Sequence, residues 1–201
     1  MLAIIDYDAG NIKSVINAFK MLGTEALVTR DPKEIMKADH VILPGVGAFG
    51  DAMSKLNEYD LTDVIREVAG NGTPFMGICL GLQLLFDSSE ESEGVSGLGI
   101  LRGKIKRIPD NGVLKVPQIG WNSLSYPNAG RLFKGIDEES YVYFVHSYYL
   151  DAEDKGIVTA TTEYGTTIDA SVEQGNVFAC QFHPEKSAEV GMEILKNFLS
   201  V

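Results

Sequence analysis

Apolar positions follow one rule in the first half of this chain and another in the second. Short apolar runs open it, at Leu2-Ala3-Ile4-Ile5, Ala26-Leu27-Val28 and His40-Val41-Ile42-Leu43. Between them, apolar residues recur at three- and four-residue intervals, as at Ile12, Val15, Ile16, Phe19 and Leu22, ahead of Gly23. The continuous runs read as strands buried on both faces, the interrupted ones as amphipathic helices. Gly23 suits a helix stop, and Asp31-Pro32-Lys33-Glu34 combines a cap, a first-turn proline and a reciprocal acid. Leu61, Val64, Ile65 and Val68 mark a further helix, with Asp60 as its cap and Gly70-Asn71-Gly72 as its end. Alternation of this kind predicts a parallel sheet covered by helices on both sides.

From about residue 95 the period becomes two. Residues 103–108, 116–121, 141–150, 157–162, 168–172 and 177–182 read as strands, added antiparallel beside or across the parallel sheet. A closing helix runs from about Ser187, with Val190, Ile194, Leu195, Phe198 and Leu199 inward. The expected fold class is α/β: a mostly parallel central sheet flanked by helices, with added antiparallel strands. Neither a repeat nor a linker interrupts the chain, and 201 residues suit a single domain over positions 1–201.

The candidate chemistry sits at the joint between two runs. Gly77-Ile78-Cys79-Leu80-Gly81 follows the apolar Phe75-Met76 and precedes the helix-like Leu82-Gln83-Leu84-Leu85-Phe86. A cysteine between glycines at a strand-to-helix corner has the shape of a nucleophile elbow, whose sharp turn needs small neighbours. There the peptide dipoles favour thiolate. Taken alone, the motif also fits a small core hydrophobe. A second segment, Gln181-Phe182-His183-Pro184-Glu185-Lys186-Ser187, supplies what a nucleophilic thiol requires: a base, and an acid to orient it. In an extended segment positions i and i+2 share a face, and Pro184 biases His183 towards that conformation. Cys79, His183 and Glu185 therefore read as a catalytic triad. Parallel sheets bind ligands beyond the carboxyl ends of their strands. Pro44-Gly45-Val46-Gly47 and Cys79 both fall at such ends, and are expected to share one cleft.

Charge and cysteine content narrow the function classes. Twenty-eight acids against 17 bases leave a net charge of −11, which argues against nucleic-acid binding and anionic membranes. The acidic run from Asp87 to Glu93 reads as a solvated loop. Two cysteines make no disulfide framework, no Cys/His spacing suggests a metal, and no motif suggests an organic cofactor. Cys180 reads as core. The start of the chain lacks signal-peptide character, and no apolar run approaches a membrane span. A cytoplasmic setting is the expectation.

Together these motifs resemble the class I (triad) glutamine amidotransferases, whose glutaminase domains hydrolyse glutamine and pass ammonia to a partner. The resemblance covers essentially the whole chain and implies the flavodoxin-like fold of that class. Asp6-Tyr7-Asp8-Ala9-Gly10-Asn11, Leu43 to Phe49, Gly120-Trp121-Asn122, Tyr143 to Tyr148 and His183 to Ser187 narrow it to members serving a (β/α)₈-barrel cyclase, as one half of a heterodimer. Three positions depart from the usual pattern. Asp8 replaces a glycine, Gln118-Ile119 replaces His-Met, and Leu82 replaces methionine.

The resemblance implies roles. Cys79 attacks the side-chain amide of L-glutamine, His183 moves the protons and Glu185 steers the imidazole. The Leu80 amide gives one oxyanion donor. The second is expected from the Gly45-Val46-Gly47 turn, at Val46. Either the Gly45–Val46 peptide turns over when the partner docks, or the turn is rigid and its glycines serve packing. Gln83 binds substrate with the backbones of Gly47, Ser147 and Tyr148. His146 is expected to be structural or to wall the substrate site, and His40 to start a strand. Asn11, Trp121, Tyr143 and Lys186 are candidates for the partner interface, although Trp121 fits a core as well. Glutaminases of anthranilate or aminodeoxychorismate synthases share the triad, a cysteine hydrolase of similar fold acts on other amides, and a regulatory subunit could keep a relic site.

Overall fold

A computed structural model describes residues 1–110, 112 and 114–201. The first half alternates as expected: β1 (Leu2–Ile5), α1 (Ile12–Met21), β2 (Ala26–Thr29), α2 (Pro32–Met36), β3 (His40–Gly45), α3 (Phe49–Glu58), α4 (Leu61–Gly70), β4 (Phe75–Cys79) and the short α5 (Leu80–Leu84). The second half is mostly strands: β5 (Ser88–Ser89), β6 (Gly103–Arg107), β7 (Gln118–Ser123), β8 (Tyr141–His146), β9 (Tyr148–Ala152), β10 (Val158–Glu163), β11 (Thr167–Gln174) and β12 (Val177–Cys180). Helix α6 (Ala188–Leu199) closes the chain.

Among the described residues the main sheet runs β2-β1-β3-β4-β12-β11-β9-β6-β5, with β10 paired to β11. Its first five strands are mutually parallel, the pairings from β12–β11 to β9–β6 are antiparallel, and β5 at the far edge is again parallel to β6. Strands β7 and β8 form a separate antiparallel pair. Successive residues of the central strands feed two different cores. Ala3, Ile5, Val41, Leu43 and Phe75 pack on one face with α3 and α4, while Leu2, Ile4, Ile42, Met76 and Ile78 pack on the other with α1 and α6. That two-sided burial is why these strands carry no polar alternation.

The structure corrects several local expectations. Helix α3 was not foreseen, although Phe49, Ala52, Met53 and Leu56 carry the helical period and are its buried face. Asp60 does not cap α4 with its side chain. It adopts a left-handed φ of 54° where α3 turns directly into α4, and its side chain makes no hydrogen bond to the first-turn amides. Asp31 caps α2 through Lys33 N, but Glu34 does not reciprocate; the Asp31 amide is taken by Thr29 Oγ1 at 2.9 Å, and Glu34 pairs with Lys37. The acidic run is not a solvated loop. Asp87 accepts from the Gly103 amide, Glu90 from Arg107 and Glu91 from Phe49, each at 2.8–2.9 Å. Composition cannot reveal such distant amides, and carboxylates that find them become part of the fold. Strand β12 stops at Cys180, and the segment 141–150 divides at Ser147 into β8 and β9.

Candidate active site

Strands β4 and β12 are parallel neighbours, with Ile78 level with Cys180. Their carboxyl ends therefore lie side by side, and the chain leaving each one supplies half of the site. On the other flank of β4, Gly45 of β3 is level with Cys79. The expected shared cleft exists. It encloses about 320 Å³, and Cys79, His183, Val46, Gly47, Leu80 and Gln83 line it.

The elbow is made by close contact. Cys79 adopts φ 56° and ψ −110°, a conformation non-glycine residues rarely take. A Cβ added at Gly77 would stand 2.6 Å from the Gly81 carbonyl oxygen, and one at Gly81 would strike the Leu43 carbonyl. Both glycines are needed for the backbone to double back. Helix α5 leaves immediately, but it is only five residues long. Gly45 is constrained in the same way: a Cβ there would meet the Tyr7 hydroxyl at 2.6 Å and Leu80 Cβ at 2.8 Å. Gly47 is different. It has open space but φ +99°, so its glycine serves the turn's conformation.

The opposite half is held by hydrogen bonds. His183 is extended, at φ −102° and ψ 95°, as its following proline requires. Its amide donates to Tyr143 O at 2.9 Å, and its carbonyl accepts from Ser187 Oγ at 2.7 Å. Glu185 does not reach the imidazole by strand alternation. Pro184–Lys186 form a 3₁₀ turn, and that turn carries Glu185 Oε1 back to His183 Nδ1 at 2.8 Å. Both side chains are almost fully buried, 4% and 1% exposed. The other carboxylate oxygen is buried with no partner among the described residues. A protonated His183 is then what offsets the burial of this charge.

The electrostatics agree. Burial alone would pull the His183 pKa down, but hydrogen bonding to the Cys79 sulfur and to Glu185 outweighs it and raises the value to about 10. The imidazole stands between sulfur and carboxylate and is held as its cation at neutral pH. His146, by contrast, is pushed down to about 4, chiefly by burial. Its ring nitrogens lie 2.8 Å from Tyr148 O and 2.9 Å from the Gln118 side chain. It lines the cleft as a neutral wall. Cys180 is fully buried, and burial raises its thiol pKa well above the ordinary range.

The cysteine sulfur has two further neighbours, Val145 O at 3.9 Å and Gln181 Nε2 at 3.8 Å. Gln83 donates to Tyr148 O at 3.1 Å and to Gln181 Oε1 at 3.0 Å. Both of its N–H bonds are thus taken, and what it offers a substrate is an acceptor. Ser147, Tyr148 and Lys186 also line the cleft. Sequence reasoning missed Glu91, the one carboxylate in that lining. Three other acids in the same run hid it; its signal was a position between Ser89 and Ser92, whose hydroxyls also accept from amides.

Asn11 starts α1, and Trp121 and Tyr143 oppose each other on β7 and β8, with ring centroids 5.9 Å apart. None of the three lines the cleft. Trp121 is 51% exposed, which removes the core alternative, and Ile119, two residues earlier on β7, is exposed as well. Among the described residues, no cluster of three His, Cys, Asp or Glu could hold a metal, and no helix is long and apolar enough to cross a membrane.

Comparison with known proteins follows the same lines. The family described as "Glutamine amidotransferase class-I" matches residues 3–201. The "Imidazole glycerol phosphate synthase subunit HisH" of Moorella thermoacetica is 53% identical, covering 98% of this chain and 93% of the relative. The protein of that name from Bacillus cereus is 52% identical over 100% and 95%. Among solved structures, "Crystal structure of glutamine amidotransferase" superposes with a TM-score of 0.77 at 22% identity, over 98% and 97% of the two chains. "Structure of PurLQS from Thermotoga maritima" gives 0.76 at 22%, over 99% and 97%. At that identity the likeness is one of fold.

Proposed function

The chain belongs to the class-I glutamine amidotransferases, and from that premise we propose that it is the glutaminase subunit of an imidazole glycerol phosphate synthase. It hydrolyses L-glutamine to L-glutamate and ammonia, and the ammonia passes to a cyclase subunit. That partner is a (β/α)₈ barrel, joined in a heterodimer. It uses ammonia on N′-(5′-phosphoribulosyl)-formimino-AICAR, yielding imidazole glycerol phosphate for histidine biosynthesis and AICAR. The setting is the reducing cytoplasm, compatible with two free thiols. Full-length identity near 50% to subunits of that name favours this synthase over the anthranilate and aminodeoxychorismate types.

The observation that carries the reading is the line from the Cys79 sulfur through the His183 imidazole to Glu185, facing an open cleft. The Cys79 thiolate attacks the side-chain amide carbon of glutamine, and the oxyanion is held by the backbone amides of Leu80 and Val46. His183, already cationic, protonates the departing ammonia. As a neutral base it then activates water against the glutamyl thioester. Glu185 keeps the ring oriented and its cation stable. Glu91 is the counter-charge for the substrate's α-ammonium, while Gly47, Gln83, Ser147 and Tyr148 surround its chain.

Ammonia released into bulk water would be protonated and lost as a nucleophile, so the partner must cover the cleft. Asn11, Trp121, Tyr143 and Lys186 form the docking face. Exposed Trp121, packed on the half-buried Tyr143, is its natural anchor. Docking also selects the orientation of the Gly45–Val46 peptide, which makes the glutaminase depend on the cyclase. The test is glutamate release measured with the chain alone, then with purified cyclase and its nucleotide ligand. A sharp rise supports the proposal. Full activity without partner removes the orientation switch, and none in either condition removes the glutaminase reading.

A further inference from the structure

The oxyanion turn is gripped from both sides by residues outside the triad. Upstream, the Tyr7 hydroxyl donates to Pro44 O at 2.8 Å, and the Tyr7 side chain is fully buried. Gly10, at φ +124°, faces the same proline: a Cβ there would stand 3.4 Å from its ring carbons. The loop after β1 is therefore the seat on which Pro44 and Gly45 rest. Downstream, Phe49 N donates to Glu91 at 2.8 Å and Gly50 N to Ser92 Oγ at 3.0 Å. Between these two grips lies the turn of residues 46–48, with Val46 at its start.

The seat itself is locked by a departure from the family pattern. Asp8 adopts φ 63°, a region glycine would occupy without strain. It is held there by Arg30 at 2.7 Å and by the Tyr59 hydroxyl. Arg30 also bonds Asp6 at 3.0 Å and stacks 4.2 Å above the Tyr59 ring. Tyr59 ends α3, the helix that the oxyanion turn enters. Exposed ion pairs add little to stability, so the geometric effect is the notable one: the loop is tied to the far end of the helix whose near end carries the turn.

We propose that Tyr7 is a positioning residue for the oxyanion turn, its hydroxyl fixing the Pro44 carbonyl on a loop that Asp8, Arg30 and Tyr59 hold in place. The inference rests on the glutaminase reading and deepens it. Tyr7→Phe keeps the ring and removes only the hydroxyl, so the turn loosens while the cleft keeps its lining. In the complex with the cyclase subunit, kcat for glutamate release is expected to fall about tenfold, with KM for glutamine within twofold, because the oxyanion forms only in the transition state. Wild-type kcat in Tyr7→Phe, or a KM rising as far as kcat falls, overturns the proposal. An inactive wild-type complex overturns the glutaminase reading instead. Should Tyr7→Phe fail to fold, Asp8→Gly on the exposed side of the loop carries the test. A severalfold loss of kcat at constant KM supports the seat, and an unchanged kcat overturns it.

Discussion

The proposed nucleophile, Cys79, and the proposed base, His183, are positioned by opposite means. Around Cys79 the backbone is forced into a conformation that only close packing maintains, and glycines at 45, 77 and 81 leave no room for a methyl group. Around His183 the backbone is relaxed, and placement comes from four polar contacts with Tyr143, Ser187, Glu185 and Cys79. Steric contact holds one sulfur atom rigidly at the mouth of a cleft. Hydrogen bonds hold an imidazole that must gain and lose protons. The first arrangement is intolerant of added volume, the second of lost polarity.

Five substitutions test that contrast, beginning with the largest effect. Cys79→Ala should leave the fold intact and reduce glutamate release by at least about 10⁴-fold, as loss of a nucleophile does. Circular dichroism beside the assay separates this from unfolding. His183→Ala should break activity by about 10³-fold and also lower stability by about 3 kcal/mol, since it strands the buried Glu185 charge. A stable, inactive His183→Ala would show that the carboxylate is otherwise satisfied. Gly81→Ala should cost about 3 kcal/mol in urea unfolding, because the added methyl group strikes the Leu43 backbone. A wild-type midpoint there would break the steric half of the comparison.

Glu185→Gln keeps the shape and removes the charge, with an expected activity loss of about 10²-fold. It also sharpens the pH dependence. The His183 pKa is raised in the folded state, from an ordinary 6.5 to about 10. Its contribution to stability is therefore complete below about pH 6.5 and is lost as pH climbs through about 10. Urea midpoints between pH 6 and 10 should decline in the wild type and decline less in Glu185→Gln. Equal slopes would mean that another group titrates. The smallest change is Ser187→Ala. It removes the hydroxyl that donates to His183 O and accepts from Tyr143 N at 2.9 Å, costing about 1 kcal/mol with little loss of kcat.

Legibility in the sequence followed the same division. The strand-and-helix alternation, the two-sided burial of β1, β3 and β4 and the elbow at Cys79 were all readable, because each depends on residues adjacent along the chain, whereas β2 at the sheet edge leaves Leu27 exposed. Helix α3 carries the helical period too, in Phe49, Ala52, Met53 and Leu56, but it follows a glycine-rich turn and has no side-chain cap to mark its start. The pairing of His183 with Glu185 was expected, yet its cause was a 3₁₀ turn after the strand. The acidic run was misread since its partners, the amides of residues 49, 103 and 107, come from other elements.

What the order of residues determined by itself was local: which segments alternate, where the backbone must bend without side chains, and which three groups could perform acyl transfer. Tertiary structure decided everything that depends on neighbours distant in sequence. It set β4 beside β12, so that two strand ends deliver sulfur and imidazole to one cleft. It left Trp121 exposed and put Glu91 in the cleft wall. The physical reason is that conformational preference acts over a few residues, whereas burial, charge compensation and steric exclusion act between whatever surfaces the fold brings together.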